Sequence, residues 1–118
     1  FSGRAGFRIV MQDPDLKAGE AETWRKEFGY AMPVLLDSKL NLARAWSATH
    51  TPTAVVLDRA GRVQYLGRID DRFPKVGADR LTPKSRDLRE ALGAVLAGKK
   101  PRVQRTVVVG CLLPLPTR

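Results

Sequence analysis

Cysteine and histidine are almost missing from this chain: Cys111 and His50 are the one of each among 118 residues. Together they cannot supply the four N/S ligands of a structural zinc site, so no metal is expected. A lone thiol forms no internal disulfide, so cysteine usage does not fix the compartment. There is no CxxC pair. No apolar run reaches the roughly 20 residues that a membrane-spanning helix needs, so no membrane span is expected. No glycine-rich phosphate loop follows the first candidate strand, which argues against a nucleotide site, and no cofactor is expected. The opening FSGRAGFRIVM has neither an initiator Met nor a charged-then-apolar signal pattern, which leads us to expect a piece cut from a longer chain.

What is present is ordinary for a globular domain: 43% hydrophobic and 28% charged residues, in a length suited to one core. The net charge of +9 is unevenly spread. Residues 1–58 balance seven basic against seven acidic side chains, whereas residues 59–118 hold fourteen against five. From Lys99 onward five basic residues meet no acidic one. Such a tail suits nucleic acid, anionic lipid or an acidic partner, or is simply a solvated basic surface. Neither aromatic interleaving nor a docking motif accompanies it, so nucleic acid is not favoured as a partner.

Along the chain, Phe7–Gln12 reads as a buried strand ending at the Asp13-Pro14 turn signal. Asp13 or Asp15 then caps a helix with Ala18, Ala21, Trp24 and Phe28 on one stripe, stopped by Gly29. Pro33–Leu36 is a short extended run. Asp37 caps a second helix with Leu40, Ala43 and Trp46 on its apolar side. Thr53–Asp58 is the clearest buried strand, and Asp58–Gly61 turns it back into Arg62–Leu66 as an antiparallel partner. Residues 67–82 read as a long loop. Thr82-Pro83 begins a last helix whose Leu88, Ala91, Leu92, Val95 and Leu96 follow one face without a miss, and Gly98 with Pro101 stops it. Arg105–Val109 suits an edge strand. This order implies a mixed sheet with helices on both faces, a three-layer α/β/α sandwich.

The segment Thr51-Pro52-Thr53 followed by an apolar strand, then Asp58-Arg59-Ala60-Gly61 and Tyr65-Leu66-Gly67-Arg68-Ile69-Asp70-Asp71, resembles the thioredoxin-like redoxins of the alkyl hydroperoxide reductase and thiol-specific antioxidant type. PVLLD and the LARAW helix upstream are similar to the same family. The resemblance spans roughly residues 7–98. It implies a thioredoxin-like domain over 1–98 lacking its first strand and helix, with 99–118 a basic C-terminal tail. It also implies a cis Thr51–Pro52 bond in a loop that receives a bound disulfide or peptide, making Thr51 and Pro52 substrate-binding candidates. The family's nucleophilic cysteine has no counterpart in FSGRAG, so no catalytic residue carries over. By the same resemblance the intact protein is a thiol–disulfide oxidoreductase or thiol peroxidase, acting on a protein disulfide or a peroxide. Its electron donor is an unidentified thiol, and an exported or periplasmic setting is implied. The rival reading is a non-catalytic module of the same fold that docks through its basic tail.

Three further residues or pairs enter as candidates. Cys111 has enough chain behind it to reach the loop as a resolving thiol, against the commoner fate of an inert apolar cysteine. His50 is a candidate general base beside the loop, against an ordinary surface histidine. Asp70-Asp71 can pair with Arg68 or Arg72, or cap a turn.

Overall fold

The computed structural model describes residues 4–13, 15–72 and 81–115. The helix-entry proline at 14 and half of the expected loop, residues 73–80, lie outside these. The chain divides into two compact units, Phe1–Ala45 and Trp46–Arg118.

The first unit is a βαβ element. Strand β1 (Ile9–Met11) pairs in parallel with β2 (Val34–Leu36), with Ile9 opposite Val34 and Met11 opposite Leu36. Helix α1 (Ala18–Glu27) joins them. It starts later than expected, because Asp13 spends its carboxylate on the Asp15 amide (2.9 Å) in a local turn. Lys17 is the N-cap residue instead, its N–H donating to Glu20 at 3.4 Å. Gly29 follows at φ +71°, the left-handed position where glycine avoids a Cβ clash. Only Ala21 of the expected stripe is buried; Phe28 is 63% exposed and lies tilted against Trp24, their centroids 5.3 Å apart. Asp37, itself buried, accepts from the amides of Leu42 and Ala43 (3.1 and 3.0 Å) and so caps α2 (Asn41–Ala45).

The second unit is built on a hairpin. Strand β4 (Ala54–Leu57) pairs antiparallel with β5 (Val63–Gly67), as the apolar run and D-x-x-G turn imply. Asp58 holds the turn by accepting from the amides of Ala60 (2.9 Å) and Arg62 (3.0 Å), while Gly61 takes φ +81°. Helix α3 (Asp87–Leu96) packs on both strands through buried Ala91 and Leu92. Its start falls five residues after Thr82; the chain between them is held by the Asp71 carboxylate, which accepts from the Lys84 and Ser85 amides (2.7 and 2.9 Å). Gly98 (φ +74°) and buried Pro101 follow its end.

The segment after Gly98 is threaded into this unit. Arg105 bridges Leu66 in parallel, with Leu66 N–H donating to Gln104 O and Thr106 N–H to Leu66 O (3.1 and 3.2 Å). The edge strand expected at 105–109 is therefore a single bridge. Two short strands went unforeseen: β3 (His50–Thr51) and β6 (Cys111–Leu112), paired antiparallel. The described architecture is thus α/β, with one parallel and two antiparallel strand pairs.

Candidate thiol site at the Thr51–Pro52 loop

The loop begins at buried Ala48 and rises through Thr49, His50 and Thr51 to Pro52, whose peptide bond with Thr51 is cis. Thr53 Oγ1 donates to the His50 carbonyl at 2.5 Å, closing a tight turn around the proline. Thr49 Oγ1 lies 2.8 Å from His50 Nδ1, so a hydroxyl occupies that ring nitrogen. His50 is half-buried and lines a cleft of about 230 Å³ between residues 47–53 and 105–108, together with Thr53, Gly67, Arg105 and Thr106. That volume is below the roughly 300–1,000 Å³ of ordinary small-molecule sites.

The tail closes the other side of the loop. In the β3–β6 ladder Thr51 stands opposite Cys111 and His50 opposite Leu112. Directly opposed residues of an antiparallel pair project on one face, so the Thr51 side chain and the Cys111 thiol share a face. Leu113, buried, donates its N–H to the Thr49 carbonyl at 2.7 Å. Gly110 lies so close that a Cβ there would overlap the Thr51 carbonyl and stand 3.2 Å from Pro52 Cδ. Only glycine permits this approach. Cys111 is a free, exposed thiol, not the buried inert side chain that its apolar neighbours suggest.

A polar network fixes the tail. Tyr65, fully buried, donates its hydroxyl to the Arg68 carbonyl (2.6 Å) and lies 2.7 Å from Thr106 Oγ1. Thr106 Oγ1 also accepts from the Arg68 amide at 2.8 Å. Burial pushes the Tyr65 phenol above its ordinary range, partly offset by the Thr106 hydroxyl. Gly67 leaves room for Thr106, whose side chain and backbone a Cβ at 67 would overlap. Arg68 Nε donates to Asp87 at 2.7 Å, and this contact raises the guanidinium further; Ser85 Oγ donates to the same carboxylate at 2.8 Å.

Among the sequence-level candidates, Thr51, Pro52 and Cys111 are brought together and His50 flanks them. Asp70 and Asp71 take turn-capping duty: Asp70 accepts the Arg72 amide (3.0 Å), and buried Asp71 binds the Lys84 and Ser85 amides. Arg68 forms its ion pair with Asp87, a residue that the helical pattern gave no reason to single out. Thr106 was likewise missed; Gly67, at the end of the hairpin's second strand, was its one available signal. Among the described residues, no group of three or more His, Cys, Asp or Glu side chains could hold a metal ion.

No protein-family model matches the sequence, and neither does any curated protein. Solved structures do. A hypothetical protein from Sinorhizobium meliloti 1021 superposes with TM-score 0.76 at 28% identity over 99% of this chain. An uncharacterized conserved protein from Geobacillus kaustophilus superposes with TM-score 0.74 at 24% identity over 96% of it. The chain spans 66% and 61% of the lengths of those two proteins. Both likenesses show a shared fold. No helix among the described residues is long and apolar enough to cross a membrane.

Proposed function

We propose that residues 1–118 are part of a thioredoxin-like thiol–disulfide oxidoreductase or thiol peroxidase, a three-layer domain with Cys111 as its resolving thiol. The observation that carries this reading is the pairing of Thr51 with Cys111 across β3 and β6. It brings the one thiol of the chain to the loop that the redoxin resemblance marks for substrate, although 60 residues separate the two. An exposed thiol beside a substrate loop is placed for exchange; a thiol serving only to fill a core would be buried.

The nucleophilic cysteine belongs, on this reading, to polypeptide outside these residues. Strand β4 supports that. Its Ala-Val-Val-Leu is the composition of a strand flanked on both sides, yet among the described residues its only ladder is with β5. A further strand alongside β4 would complete the sheet and lead into the helix that presents the nucleophile.

The chemistry then runs in two balanced steps. With a disulfide substrate, the nucleophilic thiolate attacks one sulfur, and the other leaves as a thiolate that takes up a proton. The Cys111 thiolate next attacks the mixed disulfide, releasing the second substrate thiol and leaving an internal disulfide. With a peroxide, the nucleophile takes one oxygen to become a sulfenic acid and an alcohol leaves. Cys111 condenses with the sulfenic acid, losing water. Two electrons from an external dithiol restore both thiols.

Thiol trapping in the intact protein tests this. After one equivalent of peroxide or disulfide, Cys111 is expected in a disulfide with a cysteine outside residues 1–118. Cys111→Ser should leave the sulfenic acid or mixed disulfide to accumulate. The 118-residue chain alone should reduce insulin negligibly. A Cys111 that stays a free thiol throughout turnover refutes the resolving role, and an intact protein without thiol turnover refutes the redox reading. That second outcome leaves the docking module, whose Lys99, Lys100, Arg102 and Arg105 side chains are all exposed.

A further inference from the structure

Residues 107–112 are anchored at both ends and weakly held between. At one end Thr106 is locked by Tyr65, by the Arg68 amide and by its own N–H to the Leu66 carbonyl. At the other, Leu113 is buried and bonded to Thr49. In between, Val107 is 81% and Leu112 73% exposed, Cys111 is exposed, Val108 and Val109 are no more than half-buried, and the segment's strand pairing is the two-residue ladder on β3. A stretch with so little buried apolar area opens at far lower cost than the unit as a whole.

That ladder covers the hydrogen-bonding edge of His50–Thr51, next to Pro52. An open strand edge is a template for any extended peptide, with main-chain bonds giving affinity and side-chain fit giving selectivity. Here the resident occupant shows which sequence fits: a glycine to clear the Thr51 carbonyl, then a cysteine opposite Thr51. We propose that residues 107–112 are a releasable strap, a built-in stand-in for an extended cysteine-bearing segment of a partner protein. The partner reaches the β3 edge by displacing the strap. As regulation of the thiol site, this rests on the reading given above.

A tethered strand competes at an effective concentration of millimolar order, so an untethered peptide binds the intact chain weakly. The probe is a fluorescent peptide of residues 104–113 carrying Cys111→Ser, so that no disulfide can form. Fluorescence anisotropy reads its binding to the wild-type chain, to Gly110→Ala and to Thr51→Cys. In Gly110→Ala the new methyl collides with the Thr51 carbonyl and lifts the strap, and the peptide should bind about tenfold more tightly than to wild type. In Thr51→Cys, oxidation should join residue 51 to Cys111, since opposed Cβ atoms of an antiparallel pair lie close to disulfide distance. The oxidised form should lose peptide binding, and reductant should restore it.

Equal binding to all forms overturns the strap, as does failure of Thr51→Cys to cross-link. If Gly110→Ala fails to fold, the oxidised and reduced states of the Thr51→Cys protein still decide the matter. Because the probe carries no thiol, a negative result here leaves the redox reading standing. A negative trapping experiment on the intact protein likewise leaves peptide exchange at this edge standing.

Discussion

The Arg68–Asp87 ion pair ties the end of the hairpin to the first turn of α3, and its strength can be worked out and measured. Asp87 has a side chain 4% exposed and Arg68 one 29% exposed, at 2.7 Å. Removing one partner of a fully buried pair costs roughly 3–5 kcal/mol, because the survivor keeps a buried charge. Exposed pairs contribute about 0–1 kcal/mol. With Arg68 open to water on one side, Asp87→Ala should fall between these limits, at about 2 kcal/mol. Asp87→Asn retains an acceptor for Ser85 or Arg68 and should cost about 1 kcal/mol. Arg68→Ala leaves Asp87 the hydroxyl of Ser85 and the positive end of α3, so it should cost less than Asp87→Ala. Urea unfolding of both single alanine variants and the double variant, at fixed pH and salt, isolates the pairwise term. That term should be about 1–1.5 kcal/mol, with unchanged m values. A coupling below about 0.3 kcal/mol, the scatter of independent sites, would show that the two charges do not hold these elements together.

Two further outcomes follow from the same unit. Thr106→Val preserves shape but deprives the Arg68 amide of its acceptor; it should cost about 1–2 kcal/mol in urea unfolding and speed amide exchange at Thr106 itself. No change in either would remove Thr106 as the anchor of the tail. The Asp58 carboxyl is held below its ordinary value of 3.8, first by the Arg62 amide, with the Ala60 amide and the Arg62 guanidinium assisting. Its contribution to the turn is therefore full above the unfolded value and is lost as pH falls through the lower folded one. NMR titration of the Ala60 and Arg62 amides should give a midpoint under 3.8, and one at or above that value contradicts the geometry.

The hairpin was legible because its two signals agree: a continuous apolar run and a D-x-x-G turn whose glycine sits at positive φ. The buried face of α3 was legible for a similar reason, as Ala91 and Leu92 fall on the stripe that the 3.6-residue period marks. Its beginning was not: Thr82-Pro83 is a valid start signal, yet the helix begins at Asp87, and the chain between is tied to a carboxylate thirteen residues away that no local pattern reveals. Periodicity also misjudged Phe28, because a stripe identifies one face of α1 without saying how far along it burial extends. The site was half legible. Thr51 and Pro52 stand out locally, while Cys111 becomes informative only through a two-residue ladder that is too short to leave a periodic trace. Pairing between residues 60 apart depends on Gly110 and Gly67 clearing space, and a glycine in sequence does not say which backbone will approach it.

Asp71 has a consequence for how this fold can vary. Its N–H donates to the Ser85 carbonyl while its carboxylate holds the amides of Lys84 and Ser85, so the end of the hairpin and the approach to α3 are joined at a single stitch. A change at position 71 would therefore be felt in two places at once, where the hairpin ends and where the chain approaches α3, so this is a position the fold cannot vary freely.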